Sequence, residues 1–239
     1  MFFTEEYKWI FGAIVFALRF YAIAGGFYLI FYILKRKKFA KRKLQLDYPQ
    51  YSQLKKELLL STSTMIIYGI SSSLLLYWYN KGFTTIYISV HTFGYGYLVL
   101  SILLMIFIHD AYFYWTHKLM HHVPILYRFH KIHHQSHNLN PWSAFAFHPV
   151  EAAISLGIMP LFIFIFPVHP FALITFFTIV TFYNVVIHLG FKAYSSENSN
   201  TIRNTAENHE IHHKEEKCNY GLYFTFWDKT MRTYRQKKC

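Results

Sequence analysis

Long apolar blocks, rather than short alternations of apolar and polar residues, dominate this 239-residue sequence. A helix needs about 20 apolar residues to cross a bilayer, and three blocks are candidates: residues 9–34, 58–78 and 94–108. A fourth block, residues 149–188, is interrupted by Pro160, Pro167 and Pro170. Because a proline inside a helix removes a hydrogen-bond donor and clashes with the preceding turn, we expect a hairpin there, bent near residues 167–170. The sequence therefore predicts an all-α integral membrane helical bundle, with four to five spans or a re-entrant hairpin.

The formal net charge of +12 is concentrated beside the first apolar block, where seven of the nine residues 35–43 are Lys or Arg. Such a basic cluster marks the cytoplasmic side of a membrane protein and can contact anionic lipid. No RNA- or DNA-binding motif is recognisable, so we do not expect a nucleic-acid partner. Residues 35–58 are expected to form a basic cytosolic segment, with a surface-lying helix over residues 44–58.

Counting the crossings from this cluster places residues 80–92 on the opposite side of the membrane. Residues 109–148 and everything after Gly190 return to the cytoplasmic side, so all dense histidine segments lie on one side. The N-terminal sequence MFFTEEYKW lacks the features of a cleaved signal peptide and is expected to begin a retained first span. The two cysteines have no CxxC partner, which argues against a zinc ribbon, a redox pair or a disulfide framework.

The spacing of the 15 histidines is informative. Residues that are three, four or seven positions apart share a helix face, and three groups of histidines have this spacing. These three histidine boxes are His117 and His121, then His130, His133 and His134, and finally His209, His212 and His213. On a helix, each box would present its imidazoles together.

Four further residues are weighed against this set. Asn184 and His188 are four positions apart in an apolar segment, where such residues are functional candidates by default. An interhelical hydrogen bond is the alternative role of Asn184. His137 shares the face of the second box but lies where a helix should end, so it is a weaker candidate. His109 is displaced by about 80° from the face of the first box and is left out.

The eight box histidines, His188 and Asn184 make nine or ten potential ligands. A single ion takes four to six ligands, so this number predicts a dinuclear centre. A set made almost entirely of imidazoles suits iron, zinc, copper or nickel. Without paired cysteines, a structural zinc cage is not expected.

Three segments, HDAYFYWTHKLMHH, RFHKIHH and NHEIHH, resemble the eight-histidine signature of the fatty acid hydroxylase superfamily, which includes sterol desaturases and hydroxylases. NPWSAFAFHPVEA, HLG and NYGLYFTFWDKTM add to the likeness, which covers residues 95–231. The sequence departs from the family pattern at Lys118, where arginine is usual, and at Arg232 and Thr233, where Gly-Thr often stands. Asn184 occupies a position that is histidine in some members.

The resemblance implies a compact bundle of membrane helices under a cytosolic helical cap. It also implies a histidine-bound pair of iron ions, replaceable by zinc in isolated protein, that uses O2 to attack a C–H bond of a lipid. By position, the three boxes and His188 would hold the metals, with Asn184 as a tenth candidate. We therefore expect N-terminal membrane helices in residues 1–94, a fatty acid hydroxylase-like domain in residues 95–231 and a C-terminal tail in residues 232–239.

Other parts of such an enzyme can also be assigned. Four polar residues are candidates for orienting the ligands, with helix caps and surface salt bridges as their alternative roles: Asp110, Glu151, Asn219 and Asp228. Aromatic residues near the boxes would line a channel for a lipid substrate, whether a sterol, a fatty acyl chain or another hydrophobic molecule, that enters from the bilayer. The sequence has no iron–sulfur cysteine set, Rossmann fingerprint or haem motif. A separate reductase or small electron carrier is therefore expected to supply electrons.

Two other functions are compatible with a histidine-rich membrane protein. A divalent metal transporter would place histidine and acidic residues at mid-span in several helices, whereas here only His188, Asn184 and His109 approach the membrane interior. A metal-stabilised membrane scaffold without turnover would have the same ligands as the enzyme. The sequence favours an O2-dependent lipid hydroxylase or desaturase and leaves hydroxylation and desaturation as alternatives.

The predicted topology can be tested with reporter fusions placed after Lys43 and after Cys239. We expect both reporters on the cytoplasmic side, because an even number of crossings separates the basic cluster from the C-terminus. Reporters on opposite sides would show that residues 149–188 do not form a hairpin that returns to its starting side.

Overall fold

The computed structural model describes residues 7–192 and 202–236, and regular structure in these ranges is helical apart from isolated β-bridges. In chain order the α-helices are α1 (Lys8–Tyr28), α2 (Arg36–Phe39), α3 (Tyr51–Asn80), α4 (Gly94–His122), α5 (Pro124–His134), α6 (Pro149–Leu156), α7 (Ile158–Ile165), α8 (Pro170–Ile187), α9 (Ala206–Glu215) and α10 (Phe226–Thr230). A π-helical segment, Leu29–Leu34, extends α1. The predicted all-α architecture is confirmed, while the end of the predicted tail, including Cys239, lies outside the described residues.

Four helical segments of the described chain are long and apolar enough to cross a membrane: Trp9–Leu34, Tyr51–Asn80, Gly94–His122 and Pro170–Ile187. Their mean hydropathy is between 1.5 and 1.9. Large apolar side chains on these helices, such as Leu18, Leu103 and Phe107, are exposed on the surface of the bundle. Such side chains are stable facing lipid tails, so the protein is an integral membrane protein.

The second span begins earlier than predicted, and the expected surface helix over residues 44–58 is wrong. Residues 44–50 are not helical, and α3 runs without a break from Tyr51 to Asn80. Pro49 disfavours helix in the residue before it, which explains why residues 44–50 are not helical. The polar residues of the first turns differ in exposure: Lys55 and Lys56 are exposed, whereas Glu57 is buried and accepts a hydrogen bond of 2.8 Å from Nδ2 of Asn140.

The apolar hairpin is formed by α6 and α7 on one side and α8 on the other, with the bend at the predicted prolines. The bend contacts the loop between α3 and α4. Thr85 donates a hydrogen bond of 2.7 Å to the carbonyl oxygen of Phe166, and the backbone N–H of Tyr87 donates one of 3.2 Å to Val168. The bend and this loop therefore lie at the same end of the bundle.

The opposite end of the bundle carries the basic segment. The backbone N–H of Leu44 donates a hydrogen bond of 3.0 Å to the carbonyl oxygen of Gly190, just after His188. The hydroxyl of Tyr32 donates to the carbonyl oxygens of Leu139 (2.9 Å) and Leu189 (2.8 Å), tying α1 to the segments that flank the histidine boxes. The basic segment and the histidine-rich segments are thus at one end of the protein.

Helices α1 and α3 approach closely because of two glycines. A Cβ atom on Gly69 would lie 2.5 Å from Cβ of Ala13, and one on Gly12 would collide with Ser72. Small residues at helix crossings allow close backbone contact, which stabilises helix association in membranes.

We predict that Gly69→Ala separates α1 from α3 and lowers the free energy of unfolding by about 1–3 kcal/mol, the usual effect of overpacking. Gly96→Ala on α4 is the matched control, since a Cβ there meets nothing within 4 Å. Thermal denaturation of the two variants in detergent is the measurement, and equal melting temperatures would contradict the predicted close contact.

Candidate metal centre

The eight histidines of the three boxes and His188 form two groups at the basic end of the bundle. The larger group, called the five-histidine group, contains His117, His121, His130, His134 and His212. The smaller group, called the four-histidine group, contains His133, His188, His209 and His213. Within each group, one nitrogen of every ring lies within 4.8 Å of the others.

The two groups do not follow the three boxes. On α5, His130 and His134 belong to the five-histidine group, whereas His133 turns to the four-histidine group. On α9, His212 and His213 likewise divide between the groups. This division follows from helix geometry, since neighbouring residues point about 100° apart and can serve two sites side by side.

Ring nitrogens converge closely in both groups. In the five-histidine group, Nε2 of His130 lies 3.1 Å from Nε2 of His121 and 3.0 Å from Nε2 of His134. In the four-histidine group, Nε2 of His188 lies 3.3 Å from Nε2 of His133 and 3.0 Å from Nε2 of His209. Imidazoles bind metals at about 2.0–2.1 Å, so ligands at right angles have nitrogens about 3 Å apart. The spacing in both groups fits a shared ion.

Backbone carbonyls fix the orientation of three of the rings. Nδ1 of His117 donates to the carbonyl oxygen of Tyr220 at 2.8 Å, and Nδ1 of His212 donates to Cys218 at 2.7 Å. Nδ1 of His188 donates to the carbonyl oxygen of Asn184 at 2.8 Å. An imidazole that donates from Nδ1 has its lone pair on Nε2, so these bonds leave Nε2 free to bind a metal.

Burial keeps these rings in the neutral form that metals require. It lowers the pKa of His134 to about 3 and that of His188 to about 4. The pKa values of His209, His212 and His213 are also lowered well below the usual value, with burial as the largest cause.

Several ring nitrogens are buried without a hydrogen-bond partner among the described residues. They include Nε2 of His212 and both ring nitrogens of His213. Buried polar atoms are normally paired, because an unpaired one costs free energy. Unpaired nitrogens that face a cluster of other imidazoles are the donor set that a pair of metal ions would complete.

Of the four residues considered for orienting the ligands, Glu151 contacts a ring directly. Its Oε1 atom accepts a hydrogen bond of 2.8 Å from Nδ1 of His130, and both side chains are almost completely buried. A carboxylate behind a ligating imidazole fixes its tautomer and strengthens it as a ligand.

The other three residues support the loop that follows α9. Asp228 accepts hydrogen bonds from the backbone N–H groups of Tyr220 (2.9 Å) and Gly221 (2.8 Å), and so holds the carbonyl that orients the ring of residue 117. Asn219 bonds to the backbone of residues 208 and 235. Asp110 accepts from the N–H groups of residues 223 and 224. These contacts act on the loop backbone rather than on an imidazole.

Asn184 and His137 have different surroundings. Nδ2 of Asn184 donates a hydrogen bond of 2.6 Å to the carbonyl oxygen of Ala144, which links α8 to the segment before α6. His137 is exposed and lies beyond the end of α5, outside both histidine groups. His122 is also outside them, and its Nδ1 donates to the carbonyl oxygen of Lys118.

Sequence spacing gave no indication of two other groups beside the centre. Glu216, which has a positive φ of 58°, accepts a hydrogen bond from the hydroxyl of Tyr127 and has a carboxylate oxygen 3.9 Å from Nδ1 of His134. His109 is buried, and its Nδ1 is 2.9 Å from the hydroxyl of Tyr223. In both cases the partners are about a hundred residues apart in sequence, so no local pattern connects them.

A narrow, mainly apolar cavity adjoins the centre. Helix α4 contributes one wall with side chains at helical spacing: His109, Tyr112, Phe113, Thr116, His117 and Met120. Glu151, Ile154 and Ser155 of α6 and Asn184 and His188 at the end of α8 line other parts. An apolar lining of this kind suits an apolar group, and the lining includes rings of both histidine groups.

Comparison with known proteins agrees with this architecture. A family model described as fatty acid hydroxylase matches residues 102–233, more than half of the chain. The chain belongs to the fatty acid hydroxylase family. The matched residues include all nine histidines of the two groups.

Several proteins that resemble this chain are named as sterol enzymes. The chain is 31% identical to Delta(7)-sterol 5(6)-desaturase ERG3B of Gibberella zeae, over 62% of this chain and 46% of that protein. It is 28% identical to lathosterol oxidase of Homo sapiens, over 77% and 62% respectively. With Delta(7)-sterol 5(6)-desaturase erg3C of Aspergillus fumigatus the identity is 30%, over 86% and 70%. The chain therefore spans about half to two thirds of the length of these relatives, and no solved structure matches it.

We predict that Glu151→Ala lowers the affinity for iron about 10–100-fold, because His130 loses the acceptor that fixes its tautomer. Glu151→Gln keeps an oxygen acceptor without the charge and should lose less affinity. Glu207→Ala is the control, since this partly exposed carboxylate pairs with Lys192 at 3.7 Å. Iron titration of the purified proteins is the measurement, and wild-type affinity in Glu151→Ala would contradict a role for this carboxylate.

Proposed function

We propose that this protein is a membrane-bound non-haem di-iron oxygenase that uses O2 and external electrons to hydroxylate or desaturate a lipid. The observation that carries the proposal is the position of two histidine groups at the end of an apolar cavity within a bundle of membrane helices. Lipids are the molecules that such a cavity can receive from a bilayer. The names of the relatives favour a sterol among the candidate substrates, alongside fatty acyl and other hydrophobic lipids.

The chemistry requires a redox cofactor, because a saturated C–H bond has no acidic proton and no electrophilic centre for a side chain to attack. Two iron ions held by the nine imidazoles, with O2 as co-substrate, would supply that oxidising chemistry. Hydroxylation would consume one O2, two electrons and two protons, and would leave one oxygen atom in the lipid and one in water. Desaturation would consume the same reagents, remove two hydrogen atoms from the lipid and leave both oxygen atoms in water.

The residues of the chain itself position the reactants. Glu151 and the backbone carbonyls of residues 184, 218 and 220 orient the imidazoles. Phe113, Met120 and Phe147 make the cavity wall apolar beside the rings, which holds the alkyl part of a lipid and excludes water. The ring of Phe147 packs edge to face on His133 at a centroid distance of 5.3 Å. The side chain that would contact the substrate therefore also contacts a candidate metal-binding histidine.

No motif for a flavin, haem or iron–sulfur group is recognisable in this sequence. We propose a separate reductase or small electron carrier. The basic residues 35–43 lie at the same end as the histidine groups, and by the positive-inside rule this end faces the cytoplasm. The electron donor would therefore act from the cytoplasmic side.

The arrangement of the ligands disfavours a metal transporter. A transport pathway needs ligands spaced along the membrane normal, whereas the nine histidines converge on two adjacent points at one end of the bundle. A metal-stabilised scaffold without turnover would have the same ligands. Only an assay for an oxidised lipid product distinguishes it from an oxygenase.

The decisive experiment supplies iron-loaded protein in membranes with electrons, lathosterol or total lipid extract, and ¹⁸O2, and analyses the lipids by mass spectrometry. We expect either incorporation of one labelled oxygen atom or loss of two hydrogen atoms. No oxidised lipid from fully loaded, reduced protein would contradict the proposal and favour the scaffold.

Matched histidine variants test the ligand assignment in the same assay. We expect His212→Ala to abolish product formation, as should alanine at the other second- and third-box positions, because each removes a metal ligand from a site with orienting partners. His169→Ala should leave activity near wild type, since His169 bonds to the carbonyl oxygen of Ile88 at the opposite end of the bundle. His91 and His122 should also tolerate replacement. Normal product formation by His212→Ala, in protein that accumulates in the membrane, would refute the assignment.

A further inference from the structure

A second cavity, called the α1/α3 groove, lies between these two membrane helices and the segment before α6. It opens to the outside of the bundle and has a volume of about 390 Å³, within the range of about 300–1,000 Å³ that is usual for ligand sites. The residues that line it include Tyr28, Tyr51, Lys55, Leu58, Leu59 and Trp142. None of the lining residues belongs to a histidine group or to the cavity beside the metal centre.

The groove changes from polar to apolar along α3. This helix has 30 residues and is therefore about 45 Å long, whereas the hydrocarbon core of a bilayer is about 30 Å thick. With Asn80 at the opposite surface, about ten residues at the Tyr51 end lie at the level of the lipid headgroups. Tyr51 and Lys55 are exposed at this level, and Leu58 and Leu59 follow where the hydrocarbon begins. A phospholipid has the same order of groups, a polar head followed by acyl chains.

Positive charge dominates the polar end of the groove. Residues 35–56 contain nine Lys and Arg side chains and one acidic residue, Asp47. Lys55 is exposed at the rim of the groove. Glu57, the next acidic residue, does not line the groove, and its buried carboxylate accepts a hydrogen bond of 2.8 Å from Asn140. The charge at this end therefore favours an occupant with an anionic headgroup.

Stacked aromatic rings connect the groove to the basic segment. Tyr28, which lines the groove, stacks on Tyr32 at 4.7 Å, and Tyr32 packs edge to face on Tyr48 at 5.8 Å. The guanidinium carbon of Arg36 lies 3.8 Å from the centre of the Tyr48 ring. The basic segment is thus fixed beside the groove. By the positive-inside rule this end of the bundle meets the cytoplasmic leaflet, which is rich in anionic lipids.

The groove also adjoins a segment that supports the metal centre. Trp142 lines the groove, and its carbonyl oxygen accepts a hydrogen bond of 3.0 Å from the hydroxyl of Ser61 on α3. The hydroxyl of Thr64 donates one of 3.0 Å to the carbonyl oxygen of Phe145. Two residues later, the ring of Phe147 packs against a histidine of the second box. A molecule that contacts α1, α3 and Trp142 together would therefore stabilise this support.

We propose that the α1/α3 groove is a binding site for an anionic phospholipid, separate from the site of the lipid that is oxidised. Lys55 pairs with the headgroup phosphate, and Leu58 and Leu59 contact the first part of an acyl chain. The bound phospholipid holds α1, α3 and Trp142 together and so stabilises the fold beside the metal centre. This role does not depend on the oxygenase activity.

The test compares two phospholipids on the full chain, purified in a neutral detergent. Dioleoylphosphatidylglycerol and dioleoylphosphatidylcholine are the probes, because their acyl chains are identical and only the first has a net negative charge. Native mass spectrometry gives the two dissociation constants, and thermal denaturation gives the melting temperature with each lipid. We expect phosphatidylglycerol to bind more tightly and to raise the melting temperature more, because a ligand that binds the folded state stabilises it.

Matched variants separate binding in the groove from general attraction to a basic protein. Lys55→Gln should lower the affinity for phosphatidylglycerol about fivefold, the effect of one cation at an anionic lipid surface, and leave phosphatidylcholine binding unchanged. Lys81→Gln is the control, since it removes an exposed charge at the other end of the same helix.

A second pair of variants tests the apolar part of the groove. Leu59→Ala should weaken binding of both phospholipids by a similar factor, because it removes acyl-chain contacts that the two probes share. Leu103→Ala is the control, since Leu103 is also an exposed leucine of a membrane helix but lies outside the groove. Melting temperatures without added lipid establish that each variant is folded.

Equal binding of the two phospholipids by wild-type protein would overturn the inference. So would an equal loss of phosphatidylglycerol affinity in Lys55→Gln and Lys81→Gln, because the attraction would then be general. Tighter binding of phosphatidylcholine, or a lipid-free dimer that loses stability in Leu59→Ala, would assign the groove to another occupant. Because none of these measurements requires turnover, an absence of oxidised product would refute the oxygenase proposal and leave the phospholipid site standing.

Discussion

Nine imidazoles within two small volumes, seven of them buried, are the constraint on which the rest of the structure depends. The Nε2 atoms of neighbouring imidazoles lie only 3.0–3.3 Å apart while other ring nitrogens of the set are buried without a partner among the described residues, and a partly satisfied buried polar network is worse than an apolar core. An ion shared within each group, as we propose, would satisfy the Nε2 atoms that face it. The cap formed by α5, α9 and the following loop would then be stabilised by metal, and we expect its folding to be coupled to metal binding.

The membrane helices give this cap its position. Tyr32 ties α1 to both sides of the histidine region, and Glu57 ties α3 to Asn140. Helix α4 connects the membrane helices and the cap most directly. One face of it carries the first-box histidines near its C-terminal end, and residues nearer its middle line the cavity. The same helix thus positions two of the candidate ligands and part of the cavity wall beside them.

Periodicity and composition predicted much of this arrangement. Spacings of three and four residues placed each histidine box on a helix face, and the prolines at 167 and 170 placed the hairpin bend. The start of α3 was predicted incorrectly. Glu57 looks like a surface residue in the sequence, because its hydrogen-bond partner Asn140 lies 83 residues later. The division of His133 from His130 and His134 could not be predicted either, because it depends on how α5, α8 and α9 meet. Backbone carbonyls that orient His117 and His212 carry no signal in a sequence at all.

The number of metal ions bound per chain tests the central claim most directly. Elemental analysis of protein loaded anaerobically with iron and freed of excess metal should give two equivalents per chain, one for each histidine group. Zinc in freshly isolated protein would be compatible with this, since imidazole sites accept it readily. Saturation at one equivalent or less in folded protein would contradict a dinuclear centre and, with it, the division into two histidine groups.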